Sequence, residues 1–248
     1  MKSYKLAKYN IKSSLKSILI FYCIFIVVII LISITAGKSS HIRGIEFSSV
    51  IFLFVLGLNS FKENFYFSQA NNIPRIDYFK SIVITIFPIA LVMSIIDIIL
   101  NRIYNIFDVG PTIYDMSYGN FKSAHIYING NAWIQNNSIR ILIGTITFLF
   151  TLYIIAFAIG LLITMIFYKC NKTMRILICL SPIAIQAILA NVIYNSPQIG
   201  GKLTAFIDNI LGISAKNSYI CVLTFICLFI ITMCFVYIIV RRVVVKKA

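Results

Sequence analysis

Six long runs of apolar residues, separated by short polar segments, dominate the chain. They cover about residues 18–36, 45–61, 81–100, 141–168, 176–194 and 217–240. A helix needs roughly 17–25 residues to cross the hydrocarbon core of a bilayer. The second run is the shortest and reaches this length only when Ile45 and Glu46 at its start are included. The pattern predicts an all-α polytopic membrane protein with six transmembrane helices in a single transmembrane domain over residues 1–248.

Composition and the distribution of basic residues support a membrane location and set an orientation. The chain is 60% hydrophobic and 12% charged, more apolar than a soluble core of this length can hide. Fifteen of the 22 Lys and Arg residues lie in segments 1–17, 62–80, 169–175 and 241–248. The positive-inside rule places these segments, and both termini, in the cytoplasm of a cell whose plasma membrane the chain spans. The net charge of +15 then reflects topology and contact with membrane lipid, so no nucleic acid is expected as a partner.

The first 17 residues form two stripes at helical spacing. The basic stripe contains Lys5, Lys8, Lys12 and Lys16, and the opposite stripe contains Tyr4, Ala7, Ile11, Leu15 and Ile18. Such a pattern predicts an interfacial elbow helix over residues 3–17, which lies in the headgroup plane before the chain turns into the first span. The alternative is an ordinary basic tail that only sets topology.

Two external connections are predicted to differ in structure. The longer, residues 101–139, is a polar external loop rich in Asn and Gly. The other contains a short amphipathic helix over residues 202–212, just before the last span, and Gly212 ends it. Its apolar residues at positions i, i+3, i+4, i+7 and i+8 are Leu203, Phe206, Ile207, Ile210 and Leu211.

Sequence motifs for enzymatic chemistry are missing. The chain has no phosphate-binding GxxxxGK[ST] loop, no HExxH and no CxxC, so no catalytic residue, metal site or cofactor is expected in it. Asp97 is the only acidic residue well inside an apolar run. Because it lies sixteen residues beyond Ser81, about 24 Å along a helix, we expect a helix-end charge neutralised by Arg102. A functional acid, such as a proton relay, is the alternative.

The connection over residues 62–80 contains more kinds of side chain than a simple linker between two spans needs. It reads KENFYFSQANNIPRIDYFK, with aromatic residues, a proline and both charge signs. Asn71 and Asn72 before Pro74 predict a turn followed by the start of a new helix. This helix either docks a soluble partner on the cytoplasmic side or is an amphipathic connector that rests on lipid.

The chain resembles the permease subunits of ABC-2 type exporters over nearly its full length. The shared features are the basic elbow, six spans with both ends inside, the external amphipathic insert and the segment after the second span. In that family this segment often reads Asn/Gly-x-Ser/Pro-Arg-x-x-x-Phe, and Asn72 stands here where Gly is frequent. The resemblance implies a cytoplasmic coupling helix seated on an ATPase and formed by Glu63, Asn72, Pro74, Arg75, Asp77, Tyr78 and Phe79.

The resemblance also implies a function. The chain is then the permease subunit of an ATP-driven exporter, similar to firmicute permeases for bacteriocin immunity or peptide toxin export. A separate cytosolic ABC ATPase supplies the hydrolysis and holds ATP and Mg²⁺, and a second permease chain, identical or related, completes the pathway. The expected cargo is an amphipathic or apolar peptide. Two alternatives are a stand-alone immunity or anchor protein in the membrane, and an ion-coupled carrier that uses Asp97.

Overall fold

A computed structural model describes residues 2–35, 43–119 and 135–243 of the chain. Residues 120–134 of the predicted external loop lie outside the described residues. The described parts are mainly helical. The helices are α1 Lys2–Thr35, α2 Phe47–Asn59, α3 Lys62–Ala70, α4 Arg75–Phe107, α5 Ile113–Ser117, α6 Ile139–Lys169, α7 Lys172–Asn195, α8 Pro197–Ile210 and α9 Ser218–Arg242.

Five of these helices are long and apolar enough to cross a membrane: α1, α4, α6, α7 and α9. The protein is therefore a multi-pass membrane protein. The predicted sixth span, residues 45–61, is represented by α2, which has only 13 residues. At 1.5 Å per residue α2 is about 20 Å long, shorter than the roughly 30 Å hydrocarbon core. It is short because a turn at Gly44, where φ is +61°, precedes it.

The predicted elbow is not a separate helix. Residues 3–17 form the first half of α1, a continuous helix of 34 residues, because no helix-breaking residue stands between the basic stripe and the apolar run. Leu6 and Ala7 in this half are buried. Tyr4 and Leu15, which were expected on the apolar stripe, are exposed. The basic residues Lys5, Lys8, Lys12 and Lys16 are exposed, as the stripe predicted.

Helices α1 and α4 lie side by side and run in the same direction. Three contacts follow each other in chain order: Ser3 to Asp77, Ala7 to Thr85 and Tyr22 to Asp97. The order of these contacts requires that the first residues of both helices lie at the same end of the bundle.

Helices α2 and α6 also run in the same direction and approach very closely. A Cβ atom on Gly57 would press on the backbone of Phe157, and one on Gly160 would press on the backbone of Phe54. The Thr164 hydroxyl donates a hydrogen bond of 2.7 Å to the Leu58 carbonyl. Small residues that permit such backbone contact are typical of helix interfaces in membranes. Helix α6 also packs against α4 and α9, so it lies at the centre of the bundle.

Helices α7 and α8 lie at the periphery. No residue of α7 is buried, and its principal neighbour is α8. The short helix predicted at residues 202–212 is present as α8, although it starts five residues earlier at Pro197. Gly212, where φ is +66°, follows its end. The apolar side chains of Phe206, Ile207 and Ile210 are exposed, and Leu203 and Leu211 are half-buried.

Candidate functional site

One end of the bundle, which we call the amino-terminal end, brings together the first residues of α1 and α4, all of α3 and the last residues of α6 and α9. Three hydrogen bonds define it: Ser3 to Asp77 at 3.2 Å, Tyr66 to Tyr168 at 3.1 Å and Arg75 to Arg241 at 2.6 Å. These are the segments whose basic residues were predicted to share one side of the membrane. The described parts of these segments are joined at one end of the bundle, and their cytoplasmic orientation stays a prediction.

The predicted coupling segment lies at this end, but its helices differ from the prediction. The turn is present, since α3 ends at Ala70 and Asn72 has a left-handed φ of +51°. Pro74 directly precedes α4, and Arg75 is the first residue of that helix. Residues 75–79 are therefore the first turns of a long helix and not a short helix lying across the membrane surface. The short helix is α3, before the turn.

Tyr78 was expected on the docking face and instead belongs to the core. Its side chain is 0% exposed. The ring packs edge-on against Phe61 and Phe65, and its hydroxyl donates to the Phe61 carbonyl at 3.3 Å. Tyr78 faces inward because it lies one helical turn from the start of α4, on the side that α3 covers. It therefore cannot contact a soluble partner directly.

Three other residues of the predicted site are half-buried and make contacts inside the chain. The Arg75 guanidinium donates to the Arg241 carbonyl, Asp77 accepts from the Ser3 hydroxyl, and the Phe79 ring lies 5.2 Å from that of Tyr237. These contacts join the start of α4 to α1 and α9. The exposed members of the set are Glu63 on α3, and Asn72 and Pro74 in the turn.

A second region of interest lies deep in the bundle, around Asp97. Its side chain is only 3% exposed. Its carboxylate accepts hydrogen bonds from the Tyr22 hydroxyl of α1, at 2.9 Å, and from the Tyr153 hydroxyl of α6. Since α4 continues for ten residues beyond Asp97, as far as Phe107, the expectation of a helix-end charge is wrong. Tyr153 stands near the middle of α6, so Asp97 lies at the mid-level of the bundle.

Glu46 and Ser49 reach the same region from the start of α2. Glu46 is 0% exposed, and neither of its carboxyl oxygens has a hydrogen-bond partner within the described residues. The backbone N–H groups of Glu46 and Ile113 approach this carboxyl without completing a hydrogen bond, and the carboxyl interacts electrostatically with Asp97 and Asp115. The Ser49 hydroxyl approaches Asp97 without completing a hydrogen bond. A buried carboxyl group without a partner is rare and requires an explanation.

Arg102 extends this cluster on the side away from the amino-terminal end. The three nitrogens of its guanidinium are buried and have no hydrogen-bond partner in the part of the chain that the structure describes. Its charge interacts with Asp115 and Glu46. The expected neutralisation of Asp97 by Arg102 is therefore replaced by hydrogen bonds from two tyrosines. We refer to Glu46, Ser49, Asp97, Arg102 and Asp115 together as the buried polar cluster.

Asp115 is held by a short capped helix. The Thr112 hydroxyl accepts from the Asp115 backbone N–H at 2.9 Å, and the Asp115 carboxylate accepts from the Thr112 backbone N–H at 3.2 Å, which together form a capping box at the start of α5. The Thr112 hydroxyl also donates to that carboxylate at 2.8 Å. The Gln135 amide donates to the same carboxylate at 3.1 Å. Burial raises the pKa of the Asp115 carboxyl, whereas the hydrogen bonds from Thr112 and the charge of Arg102 lower it. The carboxylate oxygens of Asp115 are thus better satisfied than those of Glu46.

A network of side-chain amides fixes the loop that carries α5. The Asn101 amide donates to the Gly110 carbonyl at 2.9 Å, and Gln135 donates to the Asn101 oxygen at 2.8 Å. Asn105 accepts from the Gly110 N–H at 2.6 Å. The adjacent turn joins this loop through a hydrogen bond of 3.0 Å from the Gly44 N–H to the Pro111 carbonyl. This non-helical backbone enters the bundle beside Glu46, where buried polar partners are required.

The fold and these two regions define a class: a multi-pass helical membrane protein with a buried polar cluster and with a surface helix tied into its spans. Comparison with protein-family models, curated proteins and solved structures finds no match in any of the three. Within the described residues, no group of three or more His, Cys, Asp or Glu side chains is arranged to hold a metal ion. Proposals about function therefore depend on the geometry of the two regions.

Proposed function

We propose that the chain is the membrane subunit of an ATP-driven exporter in a bacterial plasma membrane, and that a separate cytosolic ATPase binds it on α3 and the following turn. The main support for the proposal is that α3 has one face exposed to solvent and the opposite face packed into the core. Its outer face exposes Lys62 and Glu63, while Phe65 on its inner face is fully buried against Tyr78. A protein bound to the outer face pushes directly on packed aromatic rings.

The contacts around α3 connect it to most of the bundle. Phe61, just before α3, packs edge-on against Tyr168 of α6, and Tyr9 of α1 stacks on Phe67 of α3 at 4.9 Å. Arg75 of α4 is bonded to the end of α9. Closely packed interiors transmit displacement because they cannot be compressed at low cost. Movement of α3 therefore displaces four long helices together, which a coupling element requires.

The proposed cargo is an amphipathic or apolar peptide. A mainly apolar cavity of about 880 Å³ lies between α1 and α4, on the side away from the amino-terminal end. Its lining includes Ile26, Ile30, Leu100 and Phe107, with Ser33, Tyr104 and one acidic residue, Asp108. The apolar part of this surface binds apolar groups without the desolvation cost of buried charge. A second copy of the chain, or a related chain, completes the pathway beside the uncovered helices α7 and α8.

The docking proposal is tested by exchanging charges on α3. The double variant Lys62→Glu with Glu63→Lys keeps the net charge but inverts the pattern on its exposed face. We expect the variant to insert normally, to lose the proposed partner ATPase during affinity purification, and to lower cargo-stimulated ATP hydrolysis at least tenfold. The matched control, Lys202→Glu with Asp208→Lys on α8, should retain both properties. Full retention by the α3 variant would remove the docking proposal.

A second candidate function is an ion-coupled carrier, and the position of Asp97 favours it. An acid that is buried at mid-bundle and bonded by tyrosines of two other helices fits the pattern of intramembrane sites that bind protons or ions. The two candidates separate in proteoliposomes that contain the purified chain alone. Gradient-driven uptake that Asp97→Asn abolishes would establish the carrier. Transport that appears only with the ATPase and ATP would establish the exporter.

A further inference from the structure

Three carboxyl groups and one guanidinium share the buried polar cluster. The carboxyls belong to Glu46, Asp97 and Asp115, and the guanidinium to Arg102. If all four groups were ionised, two negative charges would remain uncompensated in the interior. Burial of unpaired charge is so costly that a group neutralises instead, and nearby carboxylate charges disfavour one another's ionisation. At least one proton is therefore expected to reside in the cluster.

The hydrogen bonds indicate which carboxyl holds this proton. Asp97 accepts from two tyrosine hydroxyls, and Asp115 accepts from Thr112 and Gln135. Hydrogen bonds donated to a carboxylate stabilise its charged form. The backbone N–H groups of Glu46 and Ile113 approach the Glu46 carboxyl without completing a hydrogen bond, and Glu46 is the most deeply buried of the three. The neutral acid is therefore the form that suits its position.

We propose that Glu46 is a proton-binding site, loaded in the conformation described here, and that Arg102 competes with the proton for its carboxylate. The buried guanidinium and the buried carboxyl influence each other electrostatically without forming a hydrogen bond. When a shift of α2 or α4 brings them together, Glu46 releases one proton to water and accepts hydrogen bonds from Arg102. The loaded and the ion-paired arrangements thus form two states of the bundle.

The groups that face Glu46 come from four helices. Asp97 and Arg102 lie on α4, Asp115 on α5, Tyr153 on α6, and Tyr22 of α1 faces the cluster through Asp97. Arg43, three residues before Glu46, is exposed to solvent. Among these groups Arg102 is the buried cation, so it is the counter-charge available inside the bundle. The protonation state of Glu46 is consequently linked to the relative positions of α2 and α4.

Infrared spectroscopy of the purified full chain in lipid nanodiscs tests the proton site directly. A protonated carboxyl gives a C=O stretching band that shifts in D₂O. We expect this band near neutral pH in the unmodified protein, its loss in Glu46→Gln, and its retention in the matched control Glu63→Gln, which changes an exposed carboxyl. Absence of the band from the unmodified protein would overturn the proposal. The proposal would also be overturned if the band were lost in Asp97→Asn but retained in Glu46→Gln, because the proton would then reside on Asp97.

The role of Arg102 is tested by a pH titration of the same band. Its positive charge favours ionised Glu46, so Arg102→Gln should move the midpoint of band loss to higher pH. Arg140→Gln, at an exposed position on α6, should leave the midpoint unchanged. An unchanged or lower midpoint in Arg102→Gln would refute competition by Arg102. These measurements need no ATPase, nucleotide or cargo, so their failure leaves the export proposal standing, and failure of that proposal leaves the proton site standing.

Discussion

The contact between α2 and α6 gives the sharpest stability prediction, because two glycines permit it. A Cβ atom added to Gly57 would lie 3.0 Å from the Phe157 carbonyl carbon and closer still to its oxygen. One added to Gly160 would lie 3.0 Å from the Leu58 nitrogen and closer to the Phe54 oxygen. These are backbone atoms within helices, which cannot rotate away as a side chain does. The methyl group of an alanine at either position must push the two helices apart.

The cost of this separation can be worked out from the side chains between the helices. Leu53 of α2 and Leu161 of α6 are both fully buried. A buried leucine makes 40–60 atomic contacts of about 0.1–0.2 kcal/mol, and a gap of 0.5–1 Å forfeits about a quarter to a half of each. The gross loss is then at least about 1 kcal/mol per leucine, in line with about 1–3 kcal/mol for an overpacked core. We expect Gly57→Ala and Gly160→Ala each to destabilise the protein by about 2–3 kcal/mol.

Unfolding in mixed micelles with increasing denaturing detergent, followed by circular dichroism, measures this change. Gly201→Ala is the matched control, because a Cβ atom at Gly201 would meet nothing within 4 Å. Its stability should stay within about 0.5 kcal/mol of the unmodified protein, or increase, because alanine favours a helix. If Gly57→Ala and Gly160→Ala behave like this control, the close backbone packing of α2 on α6 is refuted.

Three further substitutions test individual hydrogen bonds. Tyr78→Phe removes a buried hydroxyl that donates to the Phe61 carbonyl, and should lower the free energy of unfolding by about 1 kcal/mol without loss of binding to the proposed ATPase in affinity purification. Thr112→Val breaks the capping box and should cost about 1 kcal/mol in the same unfolding assay, with Thr204→Val as the exposed control. Asp97→Ala leaves the buried Tyr153 hydroxyl without its acceptor and leaves Tyr22 only the Met93 carbonyl at 3.3 Å, so it should cost more than Asp97→Asn, by about 1–3 kcal/mol, again measured by unfolding.

The spanning helices could be predicted from the sequence because any helix that crosses the bilayer needs an uncharged run long enough to span the hydrocarbon core. Five of the six predicted runs correspond, to within one residue at their ends, to parts of α1, α4, α6, α7 and α9. The run at 45–61 differs because its first residues are used in a turn at Gly44, and a left-handed backbone conformation at one glycine leaves no trace in hydropathy. A count of apolar residues does not distinguish a full span from a shorter helix that packs along one.

The limits of helices were harder to predict than their existence. Both stripes of residues 3–17 were read correctly as helical, but the bend before the first span was inferred without a breaker such as Gly or Pro. The turn at Asn71 and Asn72 was predicted because Asn tolerates a left-handed φ and Pro74 favours a helix start. The prediction of a short surface helix after the turn is wrong; it depended on the polar residues Arg75 and Asp77. They are instead at the first turn of α4, where the chain enters the bundle.

The buried polar cluster shows most clearly what a single sequence conceals. The sequence pattern predicts that Glu46 and Asp97 are charges near the ends of two different spans. A hydropathy pattern gives each residue's position along its own helix, but it does not show which helices pack together. Helices α2 and α4 both pack against α6, and Glu46 then lies near enough to Asp97 for their charges to interact. The contact that Gly57 and Gly160 permit therefore helps to hold α2, and Glu46 with it, against the bundle. A substitution that separates α2 from α6 should therefore disturb the infrared band of Glu46 as well as stability.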